Sequence, residues 1–232
     1  MSVRDVLWPH LDPAERDLLP DEEPWRALLD LAGRLARFWP GDAGERTVVV
    51  EEDAQVLGAH IAASRVLIGR GCRIEPGAVL VGEGIVLRAG ATVRSHAYIR
   101  GPAYVGEGGL VGHATELKNA ILLSGAKAPH FNYVGDSILG PDVNLGAGTK
   151  LSNFRLDGRE VRIGWGGRRR SSGTRKLGAL LGEGVQIGCN AVLNPGTILG
   201  PGCHVGPCAA VGGTHIEPGI LGHGAPPQAR AT

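Results

Sequence analysis

One period dominates this chain. Aliphatic residues recur at every sixth position: Val81, Leu87, Val93, Ile99, Val105, Val111, Leu117 and Leu123. The period resumes at Leu139, Leu145 and Leu151, and again at Leu181, Ile187, Leu193, Leu199, Val205 and Val211. Glycine often follows, as at Gly82, Gly106, Gly112, Gly140, Gly146, Gly182, Gly188, Gly200, Gly206 and Gly212. A period of six fits neither an α-helix nor an ordinary alternating strand. It fits a solenoid in which each hexad is one short strand and one turn, so that three hexads close a triangular coil of about 18 residues. The expectation is an all-β chain, a parallel β-helix with the aliphatics pointing inward. The glycine after each aliphatic is expected to supply the backbone freedom of a tight corner. A glycine-rich disordered chain would lack such a ladder.

Composition agrees with a narrow prism. Among 232 residues there are 38 glycines but only three Phe and three Tyr, so the interior is an aliphatic stack that needs neighbours and caps. The formal net charge of +1 gives no long-range attraction to nucleic acid or anionic membrane. Cys72, Cys189, Cys203 and Cys208 form no C-x-x-C pair. Cys203 and Cys208 could be neighbours, but reduced thiols in a cytoplasmic protein are the expectation. No apolar run is long enough to span a bilayer, and the N-terminus carries acids where a signal peptide has an apolar core.

Residues 1–45 lie outside the repeat and are expected to form a helical cap. Asp12 reads as an N-cap with Pro13 in the first helical position. Trp25, Leu28, Leu29, Ala32, Leu35 and Phe38 share one helical face, which predicts an amphipathic helix from about Glu22 to Phe38, ended by Pro40-Gly41. That face, with Trp25 and Trp39, is expected to cover the open end of the first coil. The β-helix is expected over 46–223, beginning at Val48-Val49-Val50, with a register slip near Leu80-Val81. Residues 155–178 interrupt it with Arg159, Arg162, Arg168, Arg169, Arg170, Arg175 and Lys176. The alternation Glu160-Val161-Arg162-Ile163 suggests a hairpin projecting from a corner, and its cations suit phosphate. Residues 224–232 read as a frayed tail.

Arg100 and Lys118 stand one coil apart, each directly after an inward aliphatic. Stacked cations repel unless an anion lies near them, which points to a phosphate site. His130 lies in the irregular run Ala128-Pro129-His130-Phe131-Asn132-Tyr133, with Pro129 in the aliphatic position and Val134 arriving one residue early. A neutral imidazole suits a general base.

The runs Val111-Gly-His-Ala-Thr-Glu-Leu-Lys-Asn119, Ala126-Lys-Ala-Pro-His-Phe-Asn-Tyr-Val-Gly-Asp136, Asp142-Val-Asn-Leu-Gly-Ala-Gly-Thr149 and Asn153-Phe-Arg-Leu-Asp-Gly158 resemble a known family. It is the acetyltransferase half of the bifunctional sugar-1-phosphate nucleotidylyltransferase / amino-sugar-1-phosphate N-acetyltransferases. The stretch Arg175-Lys-Leu-Gly-Ala179 is similar to the branch carrying an insertion there, and the similarity spans roughly residues 22–222. The resemblance implies a left-handed β-helix, a homotrimer with sites between subunits, and acetyl-CoA as co-substrate with no metal required. It implies that His130 is the base, that Arg100 and Lys118 hold the sugar phosphate, and that Tyr133, Asn144 and Asn153 contact the acceptor. Arg159 and Arg162 stand where relatives tend to have Lys, among the substrate contacts; Cys189 and Gly206 fall where backbone amides would meet the acetyl group and pantetheine. Phe154 departs from a frequent Tyr. The glycine-rich signature of the nucleotidyl-transfer half is absent and 45 residues cannot hold that domain, so no nucleotidyl transfer is expected of this chain. A separate nucleotidylyltransferase is a conceivable partner.

The implied reaction is N-acetylation of glucosamine-1-phosphate or galactosamine-1-phosphate, feeding UDP-N-acetyl-sugar synthesis. Two other readings stand beside it. One is a non-catalytic sugar-phosphate-binding or trimerisation module. The other is a zinc enzyme of the β-helix carbonic anhydrase kind, suggested by His96, His113 and His130 at intervals of 17.

Overall fold

The computed structural model describes residues 1–39 and 47–222. They form a left-handed parallel β-helix of about ten coils. The prism has three faces. Face one stacks His60–Ile61, Val79–Val81, 98–100, 116–118, Tyr133–Gly135, Lys150–Leu151, Val192–Leu193 and Ala210–Val211. Face two stacks Thr47–Val50, Arg65–Ile68, Ile85–Leu87, 103–105, 120–122, Ile138–Leu139, Ala179–Leu181, Thr197–Leu199 and Thr214–His215. Face three is a nine-stranded ladder that includes Leu110–His113, Lys127–His130, Asn144–Leu145, Gln186–Ile187 and Cys203–Val205.

The aliphatic ladder fills the prism almost as the period predicts. Leu87, Val93, Ile99, Val105, Val111 and Leu117 are all buried in one interior cluster, as are the later members of the series. Two positions differ. Leu80 rather than Val81 points inward, and Leu122 rather than Leu123. The period therefore loses no residue at Pro129; it loses one between Lys118 and Ala120, where the strand register shifts, and another between Val134 and Leu139. Ala128 takes the inward position before His130.

The glycine after each aliphatic also has a different role from the one expected. Of those named above, only Gly82 has a left-handed φ. At Gly106, Gly112, Gly140, Gly146, Gly182, Gly188 and Gly200 the next coil passes too close for a side chain: a Cβ at Gly146 would meet the Cys189 backbone nitrogen and one at Gly188 the Pro207 backbone nitrogen. The left-handed corner residue comes two positions later, as at Gly108, Gly148, Gly184 and Gly202. Non-glycine residues take the same conformation at His96, Ala114, Phe131, Asn190 and Cys208, on the edge between faces three and one.

The described residues of the N-terminal segment, 1–39, do not cap the open end. They lie along face two as a strap. The outward side chains of that face, Leu67, Val86, Tyr104, Ile121, Ile138, Leu180 and Ile198, share one apolar cluster with Val3, Leu7, Trp8, Trp25, Leu28, Leu31 and Leu35. Trp8 Nε1 donates to the Leu181 carbonyl at 2.8 Å. The expected long helix is three short pieces: a 3-10 turn Pro24–Asp30, an α turn Leu31–Leu35 and a 3-10 turn Ala36–Phe38. Following a flat β wall requires the chain to change direction, so Leu29 of the predicted face is left exposed. Asp12 does cap Pro13–Arg16, accepting from the Ala14 amide. A further helix, Val3–Leu7 with Ser2 as cap, went unread in the sequence. Pro40-Gly41 and the 224–232 tail lie outside the described residues.

The insertion is a hairpin, Arg162–Trp165 paired antiparallel with Arg168–Ser171. It does not project: Val161, Ile163 and Leu177 join the strap's cluster over face two.

On the inner side of the strap, Glu15 is buried. Its Oε1 accepts from the Ser124 amide (2.9 Å) and hydroxyl (2.8 Å), while Oε2 has no partner among the described residues. Burial pushes the Glu15 carboxyl pKa up, and the Ser124 bonds offset only part of this. A carboxyl with a raised folded-state pKa stabilises the fold below its unfolded value, and that contribution is lost as pH rises through the folded value. Wild-type stability, measured against Glu15→Gln by urea unfolding, should therefore fall as pH is taken from about 4 to about 8. A difference independent of pH would contradict this.

Candidate functional site

Faces one and three meet at an edge that the strap leaves open, and the sequence candidates gather on both sides of it. On face one, Arg100 and Lys118 are register partners on adjacent strands, as their spacing predicts. They do not wait for an external anion. Arg100 pairs with Glu116 at 2.9 Å, and Lys118 Nζ meets both Asp136 oxygens at 2.9 and 2.7 Å. The first pair is half exposed and contributes at most about 1 kcal/mol. The second is largely enclosed, with side chains 20% and 5% exposed. Lys118→Ala would leave the Asp136 carboxylate with amide donors only, at a cost of about 3 kcal/mol. A shift in the urea midpoint would report it, and an unchanged midpoint would show the pair to be dispensable.

Asp136 is the hub of this face, and sequence reasoning assigned it no role. Besides Lys118 it accepts from Asn119 Nδ2 at 2.8 Å and from the Asn153 amide. Asn153 Nδ2 also donates to Tyr133 Oη at 3.1 Å. The Tyr133 ring folds over Gly135, where a Cβ would strike both the phenol and Asn153. Burial pushes the Tyr133 phenol pKa up, more than the Asn153 bond lowers it, with Glu116 and Asp136 adding to the rise. The phenol is therefore neutral and its hydrogen remains available to a ligand. The available signal for Asp136 and Asn119 was their residue type at a corner: both have left-handed φ, 47° and 46°, which Asx residues tolerate best.

His130 lies across the edge, at the end of Lys127–His130 on face three, and is exposed. The turn that carries it is held by buried Asn132, a second residue that sequence reasoning left without a role. Asn132 Oδ1 accepts from the His130 amide at 3.0 Å, and Nδ2 donates to the Gly146 carbonyl at 2.8 Å. Among the described residues the His130 imidazole itself has no hydrogen-bond partner. His113, its register partner, donates from Nδ1 to the Ser95 carbonyl at 2.8 Å and packs edge-on against His96 and Phe131. Among the described residues no three His, Cys, Asp or Glu side chains converge to hold a metal ion.

The other candidates are scattered. Asn144 lies on face three beside Lys127, not with Tyr133. Arg159 and Arg162 belong to the hairpin segment; Arg162 donates to the Arg169 carbonyl, and neither bonds to the Asp136 group. Gly206 lines a groove of about 260 Å3 with Ile187, Gly188, Val205, Pro207 and Ile220, an apolar trough on face three. Cys189 is outside that lining, exposed, with its carbonyl bonded to the Cys208 amide. All four cysteines are free; Cys203 points into the prism while Cys208 is on the edge, so the two are not paired.

The family model of bacterial transferase hexapeptide (six repeats) matches residues 178–213, the coils that follow the hairpin. Those coils carry a hexapeptide-repeat domain. The chain is 43% identical over 101 residues to the bifunctional sugar-1-phosphate nucleotidylyltransferase/acetyltransferase of Sulfurisphaera tokodaii, covering 44% of this chain and 25% of that protein. It is 34% identical over 175 residues to the bifunctional protein GlmU of Methanococcus aeolicus, covering 70% of this chain and 42% of that protein. It thus spans well under two thirds of these relatives, whose matching portion is the C-terminal acetyltransferase-like part. A solved UDP-N-acetylglucosamine acyltransferase from Francisella novicida aligns over 71% of this chain and 60% of its own at 17% identity, with a TM-score of 0.37.

Proposed function

We propose that this chain is an acetyl-CoA-dependent N-acetyltransferase whose acceptor is an amino-sugar 1-phosphate. The observation that carries the reading is the edge between faces one and three. An exposed imidazole stands on one side, and an ordered phenol, amide and ion-pair group on the other. The names of the relatives supply the substrate class: sugar 1-phosphates and an acetyl group. His130 takes a proton from the sugar amine as its nitrogen attacks the thioester carbonyl. The C–N bond forms, the C–S bond breaks, and the thiolate leaves and is reprotonated. Tyr133, with its hydrogen free, donates to the acceptor. Arg100, itself half exposed, is better placed to meet the phosphate than Lys118, which Asp136 already neutralises. The apolar trough at Gly206 suits the pantetheine arm. The free His130 imidazole suits a site completed by a second copy, and the assembly is read as a homotrimer.

Incubation with acetyl-CoA and either glucosamine-1-phosphate or galactosamine-1-phosphate, followed by mass analysis of the sugar, tests the reading. It predicts one added acetyl group on the amine of at least one epimer. Tight binding of both sugars without product would favour the non-catalytic module instead.

A further inference from the structure

The strap covers face two and the ordered polar group is on face one, yet the two are joined. We propose that Asp136 is a positioning residue whose own placement is set by the strap through Asn119, so that strap docking holds Tyr133, Asn153 and Lys118 in register for a ligand. The inference rests on the reading of face one as the acceptor site.

The link is a continuous row of hydrogen bonds around one corner. The Leu28 carbonyl, in the strap's 3-10 turn, accepts from Asn119 Nδ2 at 3.1 Å. The same amide nitrogen donates to Asp136 Oδ1 at 2.8 Å. Both of its hydrogens are thus committed, one to each partner. Asp136 then receives Lys118 and Asn153, and Asn153 reaches Tyr133. Asn119 sits where the strand register shifts between Lys118 and Ala120, so one residue is spared from the ladder and turned toward the strap. Leu28 is held from the other side, buried with Trp25 and Leu31 against Tyr104, Ile121 and Ile138.

Asp136 is 4% exposed. A carboxylate so enclosed cannot relax into water if a donor is lost, so its remaining donors must move toward it. Loss of the Asn119 bond would draw Lys118 and Asn153 inward and release Tyr133, although Asn119 itself touches no ligand. A purely structural corner would behave otherwise: it would lose stability and leave ligand binding unchanged.

The test uses the full chain and Asn119→Ala. In steady-state transfer, KM for the amino-sugar phosphate should rise about tenfold, with kcat and the KM for acetyl-CoA within about twofold of wild type. Hydrogen exchange of the same two proteins should show faster exchange both at 24–31 and at 133–136. Unchanged acceptor KM, or faster exchange confined to 24–31, would overturn the coupling. If Asn119→Ala does not fold, Asn119→Ser, which keeps a single donor, is judged by the same criteria. If wild type acetylates no amino sugar, the functional reading fails, and the exchange comparison still decides whether strap and Tyr133 are joined.

Discussion

Replacing His130 with alanine is expected to lower acetyl transfer by about 10²- to 10⁴-fold, the usual contribution of a positioned general base. The fold should hardly notice. His130 is exposed, its imidazole bonds to nothing in the described chain, and its backbone is held by Asn132 and by the Gly148 amide. The urea midpoint should therefore stay within about 0.5 kcal/mol of wild type. KM for the acceptor should change little, because the binding groups lie across the edge on face one. Added imidazole should restore part of the lost rate by entering the vacated space. Wild-type turnover in the variant would mean that another group accepts the proton, and His113, with its tautomer fixed by the Ser95 carbonyl, would be examined next.

Gly112→Ala should have the largest effect on stability, more than about 4 kcal/mol. A Cβ there would overlap the carbonyl, carbon and Cα of Pro129 in the next coil. These are backbone atoms between two register pairs, Val111 with Ala128 and His113 with His130, so neither strand can give way alone. His130 follows Pro129 directly, so activity should fall with stability. Gly108→Ala is the instructive contrast. Gly108 has φ +63° but open space around its Cβ position, so only the left-handed strain of about 1–2 kcal/mol applies. Chemical denaturation of the two variants separates them: comparable losses would mean that corner conformation, not coil spacing, is what glycine supplies here.

The same contrast explains what could be read from the sequence. The period of six identifies the coils because each inward aliphatic has one neighbour above and one below, a purely local constraint. It fails by one residue at Val81 and Leu123 because corners absorb insertions and deletions without disturbing the strands. The strap's course was not legible. Its apolar face at Trp25, Leu28 and Leu35 signals burial, but nothing in it names the partner surface. That surface is the outward residues of face two, Tyr104, Ile121 and Ile138, each beside an inward aliphatic and hidden by its stronger rhythm. The stacking of Arg100 over Lys118 was legible from spacing. Their neutralisation was not, since Asp136 follows Lys118 by 18 residues as an ordinary corner residue. Asn144 was assigned through resemblance alone, Arg159 and Arg162 through resemblance and the cation cluster of 155–178, and within one chain all three stand apart from the Asp136 group.

The most direct measurement is free-thiol release from acetyl-CoA by the full chain, with and without an amino-sugar 1-phosphate, beside the same sugar already N-acetylated. A transferase built at this edge predicts release that requires the free amine, saturates with the amino sugar and is absent with the N-acetylated one. Release at the same rate without any acceptor, or none with either epimer from a folded protein, would contradict it.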